Sequence, residues 1–329
     1  MPRTTTTRRV LAAGAAAFSA TMILAGCGGG DIESTSTASG SAAAAKCGPV
    51  NLAVNPWVGM EASVAVVKYV AEKDLGCTVE TKDLKEEVSW QGFGTGQVDA
   101  IIEDWGHPEL QKKYVDDDKT AQVVGPNGNE GLIGWYVPKW MAEKYPDITD
   151  YKNLNKYADL FKTSESKGKG QLLDGDPSYV SYDEALVKNL KLDYNVVYTG
   201  SEAALITAFD QATAKKTPLL GYFYAPQWKL VDLDLVRVNL PKWDPATCKA
   251  DKQAAACDYE ATPLNKIART EFMNSGSPAA TLIKNFSWTN DDQNLVAKYI
   301  AGDKLSDEEA AKKWVEANPD KVKAWLPAS

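Results

Sequence analysis

Four short runs place indole or phenol rings at or near the ends of apolar segments. In NLAVNPWVG, Asn51–Gly59, the ring is Trp57; in DAIIEDW, Asp99–Trp105, it is Trp105. GLIGWYVP, Gly131–Pro138, carries Trp135 and Tyr136, and PLLGYFYAPQW, Pro218–Trp228, carries Tyr222, Tyr224 and Trp228. Aromatic faces are electron-rich and hold a cation with about 0.5–2 kcal/mol per ring, depending on desolvation. A quaternary ammonium suits such a cage best. It donates no hydrogen bond, so water holds it weakly, and its methyl groups gain from apolar contact. Each ring also has a packing alternative. Trp135 and Tyr136 are adjacent on a strand and point to opposite faces, so only one reaches a common pocket, with Trp135 preferred. Tyr222 and Tyr224 share a face, and Tyr224 lies nearer the strand end. Trp228 reads as hinge packing rather than pocket, and Trp90 as core.

Polar candidates flank the rings. Gly59 and Met60 follow Trp57 at an expected helix start, where unpaired backbone N–H groups favour an anion such as a ligand carboxylate. The loop DGDPSYVSYDE, Asp174–Glu184, offers Ser178 and Tyr179 as donors and Asp176 as an acceptor or N-cap. His107 is a possible donor two residues after Trp105. No catalytic set emerges. There is no GxSxG elbow and no GxxxxGK[ST] loop. His107 is the only histidine and no CxxC occurs, so no metal site and no cofactor are expected. Glu103 and Asp104 are adjacent at a strand end and diverge, which argues against a glycosidase pair. A sugar-binding or glycan-cleaving secreted protein, stacking sugars on the same rings, is the main rival to a binder of cations.

The elements that must position these residues alternate. VNLAVN, TVETKDL, DAIIED, QLLDGD, NVVYTG and PLLGYFY read as strands, and GLIGWYVP as a strand reaching Pro138. Between them EASVAVVKYVAEKDL, SWQGFGTGQ, YVSYDEALVKNLKL and SEAALITAFDQATAKK read as helices, the last N-capped by Ser201. From about Pro263 the chain reads as mostly helical, including LNKIARTEFMNSG, and Ser306 with Glu309 forms a capping-box pattern. Alternating units predict an open, mostly parallel α/β sheet. In such sheets ligands bind outside the carboxyl ends of the strands, where Trp57, Trp105 and Tyr224 fall.

The first residues set an address. Arg3, Arg8 and Arg9 precede the apolar run Val10–Ala25, which ends in LAGC at Cys27. This is an export signal, too short and small-sided to be a good membrane span. Small residues before a cysteine resemble a lipoprotein signal, with cleavage before Cys27 and diacylglycerol on its sulfur. Residues 28–46 lack the apolar content for a core and read as a flexible tether. The remaining four cysteines suggest two disulfides in an exported chain. Three connectivities are open. Cys248–Cys257 is the local choice, and Cys47–Cys77 would pin the first strand to the chain after the first helix. A net charge of −8 gives no basic footprint for nucleic acid. About 280 residues beyond the tether suggest two lobes.

NPWVG, GQVDAIIEDW, GWYVP and GYFYAPQW, in this order and at this spacing, resemble the substrate-binding proteins of ABC importers for glycine betaine, proline betaine, choline and carnitine. The resemblance covers most of Cys47 to about Trp243. It implies a type II periplasmic-binding-protein clamshell with an aromatic box between two lobes. Trp57 and Trp105 match box rings of the first lobe; Trp135 or Tyr136, and Tyr224, match those of the second. The expected limits are a signal peptide over 1–26, a tether over 27–46, a first lobe over 47–132 and 229–329, and a second lobe over 133–228. Many relatives end the last motif in W-x-P-H, whereas this chain has Tyr224-Ala225-Pro226-Gln227. Choline-type members tend to carry an acid two positions after the first Trp; Gly59 stands there and tilts the expectation towards a betaine. The implied partners are an ABC permease and its ATPase, with the protein a monomer anchored by lipid outside the cell membrane.

Overall fold

The computed structural model describes residues 47–328. The expected export signal, Cys27 and the expected tether lie outside these residues. The chain opens with β1 (Pro49–Val54), α1 (Val58–Leu75), β2 (Thr78–Asp83), α2 (Glu86–Thr95) and β3 (Ala100–Asp104), then α3 (Pro108–Gln111). Strand β1 lies between β2 and β3, parallel to both. The long β4 (Ala121–Pro138) follows, then α4 (Lys139–Lys144), β5 (Gly170–Asp174), α5 (Asp183–Asn189), β6 (Tyr194–Tyr198), α6 (Glu202–Lys215), β7 (Gly221–Ala225) and β8 (Leu235–Arg237). The chain ends in β9 (Thr262–Arg269), α7 (Thr270–Met273), α8 (Pro278–Asn285), α9 (Asn290–Ala297), α10 (Asp307–Ala317) and α11 (Pro319–Trp325).

The strand order is β2-β1-β3-β9-β4-β7-β5-β6, with β8 on β4. Strand β4 joins the two lobes of a clamshell. Its first part, Ala121–Gly131, pairs with β9 in the first lobe; Leu132–Pro138 pairs with β7 and β8 in the second. We place the return crossing near Thr262. Residues 235–258, expected in the first lobe, sit with the second: β8 pairs with Tyr136–Pro138, and Arg237 forks onto Asp258 at 2.8 and 2.9 Å.

The sheet, expected to be mostly parallel, is mixed, because β9 and β4 run antiparallel to their neighbours. The helix expected over LNKIARTEFMNSG is wrong in its first half. Leu264, Lys266, Ile267 and Ala268 are buried in β9, which fills the slot between β3 and β4. The open edges of two strands there determine the conformation more strongly than local propensity does. The Lys266 ammonium survives burial by donating to the carbonyls of Lys284 and Phe286 at the end of α8.

Helix α1 is buried on nearly all sides, packed on the sheet and against α10 and α9. It stops at Gly76 in the left-handed conformation (φ 63°), which costs glycine nothing. Ser201 caps α6 by accepting from Ala204 N, and Ser306 with Glu309 forms the capping box of α10. Disulfides join Cys47 to Cys77 and Cys248 to Cys257.

Candidate functional site

Residues from both lobes line one pocket holding about 240 Å³ of free space: Trp57, Glu86 and Trp105 from the first, Tyr179, Val180, Tyr222 and Tyr224 from the second. The rings meet mostly edge to face. Trp57 and Tyr179 are 5.8 Å apart at 88°, and Trp105 and Tyr224 are 5.4 Å apart at 83°. Tyr179 is also 6.4 Å from Tyr222 and 6.2 Å from Tyr224, while Tyr222 and Tyr224 are 6.0 Å apart.

Glycines make room for two of these rings. A β-carbon on Gly131 would lie 2.7 Å from Trp105 Cζ3, and one on Gly175 would lie 2.8 Å from Tyr179 Cδ2.

Glu103, on β3 and fully buried, orients both tryptophans. Its Oε1 accepts from Trp57 Nε1 at 2.8 Å and from Trp105 Nε1 at 2.9 Å, and Oε2 accepts from Ser63 Oγ at 3.2 Å. Burial pushes the Glu103 carboxyl up to about 7, against the opposing pull of these hydrogen bonds. The phenols are fixed too. Tyr179 donates across the cleft to Pro56 O at 2.7 Å, and Tyr222 donates to Val180 O at 3.3 Å. Tyr224 donates to Glu202.

Glu202 lies at the start of α6 in the second lobe and crosses to the first. Its Oε2 accepts from Val58 N at 3.0 Å, and its Oε1 accepts from Gln227 Nε2 at 2.8 Å. A protein carboxylate thus occupies the first N–H of α1, the helix end expected to meet a ligand carboxylate. Burial raises the Glu202 carboxyl above its ordinary range.

His107 lies behind the pocket wall. Its Nδ1 is 3.2 Å from Asp104 Oδ1, and its Nε2 is 3.1 Å from Glu86 Oε2. Burial alone would lower its pKa, but the hydrogen bonds to Asp104 and Glu86 outweigh this and carry it up to about 10. His107 is therefore an imidazolium that holds Glu86 in the pocket wall.

Of the expected site residues, Trp57, Trp105, Tyr179 and Tyr224 line the pocket; the others do not. Gly59 faces α9, where a β-carbon would lie 2.1 Å from Gln293 Nε2, and Met60 is in the core. Trp135 is fully buried and donates to Asp183 Oδ1 at 2.7 Å, while Tyr136 packs edge-on against Phe223 at 6.3 Å. The alternation of faces that favours one of them thus directs neither to the pocket. Ser178 turns back to Asp176 Oδ1 at 2.7 Å, and Asp176 also faces Lys85 across the cleft at 3.5 Å. Sequence reasoning missed Glu86, Val180, Glu103 and Glu202, and set Tyr222 behind Tyr224. Only Tyr222 carried a signal, the face it shares with Tyr224. Among the described residues no cluster of His, Cys, Asp and Glu could hold a metal ion, and no helix is long and apolar enough to cross a membrane.

Fold and cleft together define a two-lobed clamshell of the periplasmic-binding-protein kind. Comparison with known proteins narrows the class: residues 48–317 match the OpuAC family, the substrate binding domain of ABC-type glycine betaine transport systems, and the chain belongs to that family. The glycine betaine/carnitine transport binding protein GbuC of Listeria monocytogenes is 29% identical over 127 residues, 39% of this chain and 38% of that protein. The trimethylamine N-oxide-binding protein of Pelagibacter ubique is 24% identical over 258 residues, 74% of each chain. Among solved structures, lactococcal OpuAC in its closed, glycine betaine-bound conformation superposes with a TM-score of 0.67 at 22% identity, covering 85% of this chain and 99% of that one. An ABC-transporter choline binding protein in complex with choline superposes with a TM-score of 0.70 at 18% identity, covering 85% and 91%. At these identities the structural likeness speaks for the fold alone.

Proposed function

We propose that this protein captures a small quaternary ammonium compound outside the cytoplasm and delivers it to an ABC permease driven by a separate ATPase. Glycine betaine, proline betaine, choline and carnitine share the methylated headgroup and are the candidate ligands. One observation carries the reading: five aromatic rings, drawn from both lobes, surround one pocket whose lining includes a carboxyl group and no cationic side chain. Three or more ring faces at about 0.5–2 kcal/mol each supply several kcal/mol to a desolvated cation. Because the rings come from both lobes, binding favours the closed form, which is the signal a permease would read. The protein acts as a binder, with substrate leaving unchanged. Lipid on Cys27 would hold it at the membrane while the tether lets it reach its permease. The family match and the names of the two relatives support this role.

Calorimetric titration with the four candidates and with glucose and maltose tests the proposal. Saturable binding of at least one methylated ammonium compound below millimolar concentration is expected, with quenching or enhancement of Trp fluorescence. Binding of the sugars alone would move the reading to the glycan class.

A further inference from the structure

Trp57 sits on a turn that the opposite lobe holds on both flanks. Before the ring, Pro56 O accepts from the Tyr179 phenol at 2.7 Å; after it, Val58 N donates to Glu202 Oε2 at 3.0 Å. Tyr179 lines the pocket and meets Trp57 edge to face. Glu202 does not line the pocket, yet it binds residues on both sides of it. Its Oε1 accepts from the phenol of Tyr224, a lining ring, and from Gln227 Nε2 at 2.8 Å. Gln227 is itself fixed, its Oε1 accepting from Lys229 N at 2.6 Å.

These contacts differ in what opening the cleft does to them. Glu202, Tyr224 and Gln227 share the second lobe, so the hydrogen bonds among them persist when the lobes part. Val58 belongs to the first lobe, and its N–H meets Glu202 only while the cleft is shut. Tyr224 and Gln227 thus hold one carboxylate oxygen and present the other to the first turn of α1, where an unpaired N–H and the helix dipole favour an anion. Hydrogen bonds to an ionised acceptor are about twice as strong as neutral ones. A contact made only in the closed form shifts the equilibrium towards that form by its own free energy.

Taking the quaternary ammonium reading as given, we infer that Glu202 is a positioning residue for capture. Without touching the ligand, it seats the Tyr224 ring and latches the closed cleft through Val58 N, and so governs how fast the ligand leaves. Gln227, standing where many relatives carry His, serves this latch.

Two variants cut the latch from opposite sides. Glu202→Gln sets an amide N–H against a donor, either that of Val58 or those of Tyr224 and Gln227. Val58→Pro removes the N–H itself. Val58 is the first residue of α1, where proline is tolerated, and Trp57 before it is already extended (φ −143°, ψ 148°), as a residue preceding proline must be. Stopped-flow Trp fluorescence of the intact purified protein with glycine betaine and with choline reads the rates. In each variant the dissociation rate should rise at least about tenfold, while the association rate changes by less than about twofold. The double variant should be little worse than Glu202→Gln alone, because both changes remove one contact. An unchanged dissociation rate in Val58→Pro, or losses that multiply in the double variant, would overturn the latch. So would a Glu202→Gln variant whose ligand-free urea midpoint falls while dissociation stays the same, the mark of a residue that only starts α6. Failure of both compounds to bind the unaltered protein would overturn the quaternary ammonium reading and the latch with it. Should Glu202→Gln not fold, Val58→Pro alone decides.

Discussion

Glu103→Gln isolates the carboxylate that aims both tryptophans. The amide keeps a carbonyl oxygen for the two indole N–H groups, removes the titration, and places an NH2 where Oε2 accepted from Ser63, a change that does not vary with pH. In the folded protein burial holds the Glu103 carboxyl at about 7, against an ordinary 4.5. A carboxyl raised on folding favours the folded state most when protonated. Its contribution is therefore full below pH 4.5 and is lost as the pH rises through 7. Between pH 5 and pH 8 that amounts to about 2–3 kcal/mol, taking 1.36 kcal/mol per unit. His107 also contributes in this range. Its pKa rises on folding from 6.5 to about 10, so its stabilisation is full below 6.5 and fades through 10. Subtracting the variant from the unaltered protein cancels that part. Urea unfolding at pH 5, 6, 7 and 8 should therefore show the difference in stability shifting by about 2–3 kcal/mol in favour of the variant as the pH rises. A difference that stays flat to within about 0.5 kcal/mol would refute the claim that this carboxyl is held near neutrality by burial.

Trp105→Ala should weaken ligand binding by about tenfold or more, since the ring supplies cation–π attraction and the edge-to-face partner of Tyr224; unchanged affinity in calorimetry would remove it from the box. Replacing Cys47 and Cys77 together by serine opens a link between residues 30 apart in sequence. It should lower stability by about 2–4 kcal/mol, read as a fall in the urea midpoint with the slope little changed. Cys27→Ser should move the exported protein from the membrane fraction to the soluble fraction without altering ligand affinity, as fractionation and titration would show.

The aromatic residues were legible because they break a pattern. A tryptophan beyond the end of an apolar strand has no routine packing reason to be there, so Trp57 and Trp105 stood out before any fold was known. Tyr224 stood out the same way; Tyr222, on the same strand face, was set behind it although it also lines the pocket. The βα rhythm gave the central strands of both lobes, because each is a short apolar run with one dominant environment. Alternation failed at Trp135 and Tyr136. Both faces of that strand are covered, one by Asp183 and its neighbours and the other by Phe223, so neither face is the pocket face.

By itself, the chain's sequence determined most of the rings that line the pocket, the strands that carry them, and membership of a two-lobed α/β class. These are local properties, set by side-chain chemistry and by the two-residue period of a strand. Only the tertiary structure decided which carboxyl groups gather around the pocket. Glu86, Glu103 and Glu202 lie on α2, β3 and α6, and nothing in their neighbouring residues marks them as partners. Their roles arise because folding brings them within 3 Å or so of His107, two indoles and a helix end. A carboxylate's preferences depend on what desolvates and neutralises it, and those neighbours are remote in sequence. The conversion of Leu264–Arg269 from an expected helix to β9 has the same origin, since the strands on either side of it are supplied by distant parts of the chain.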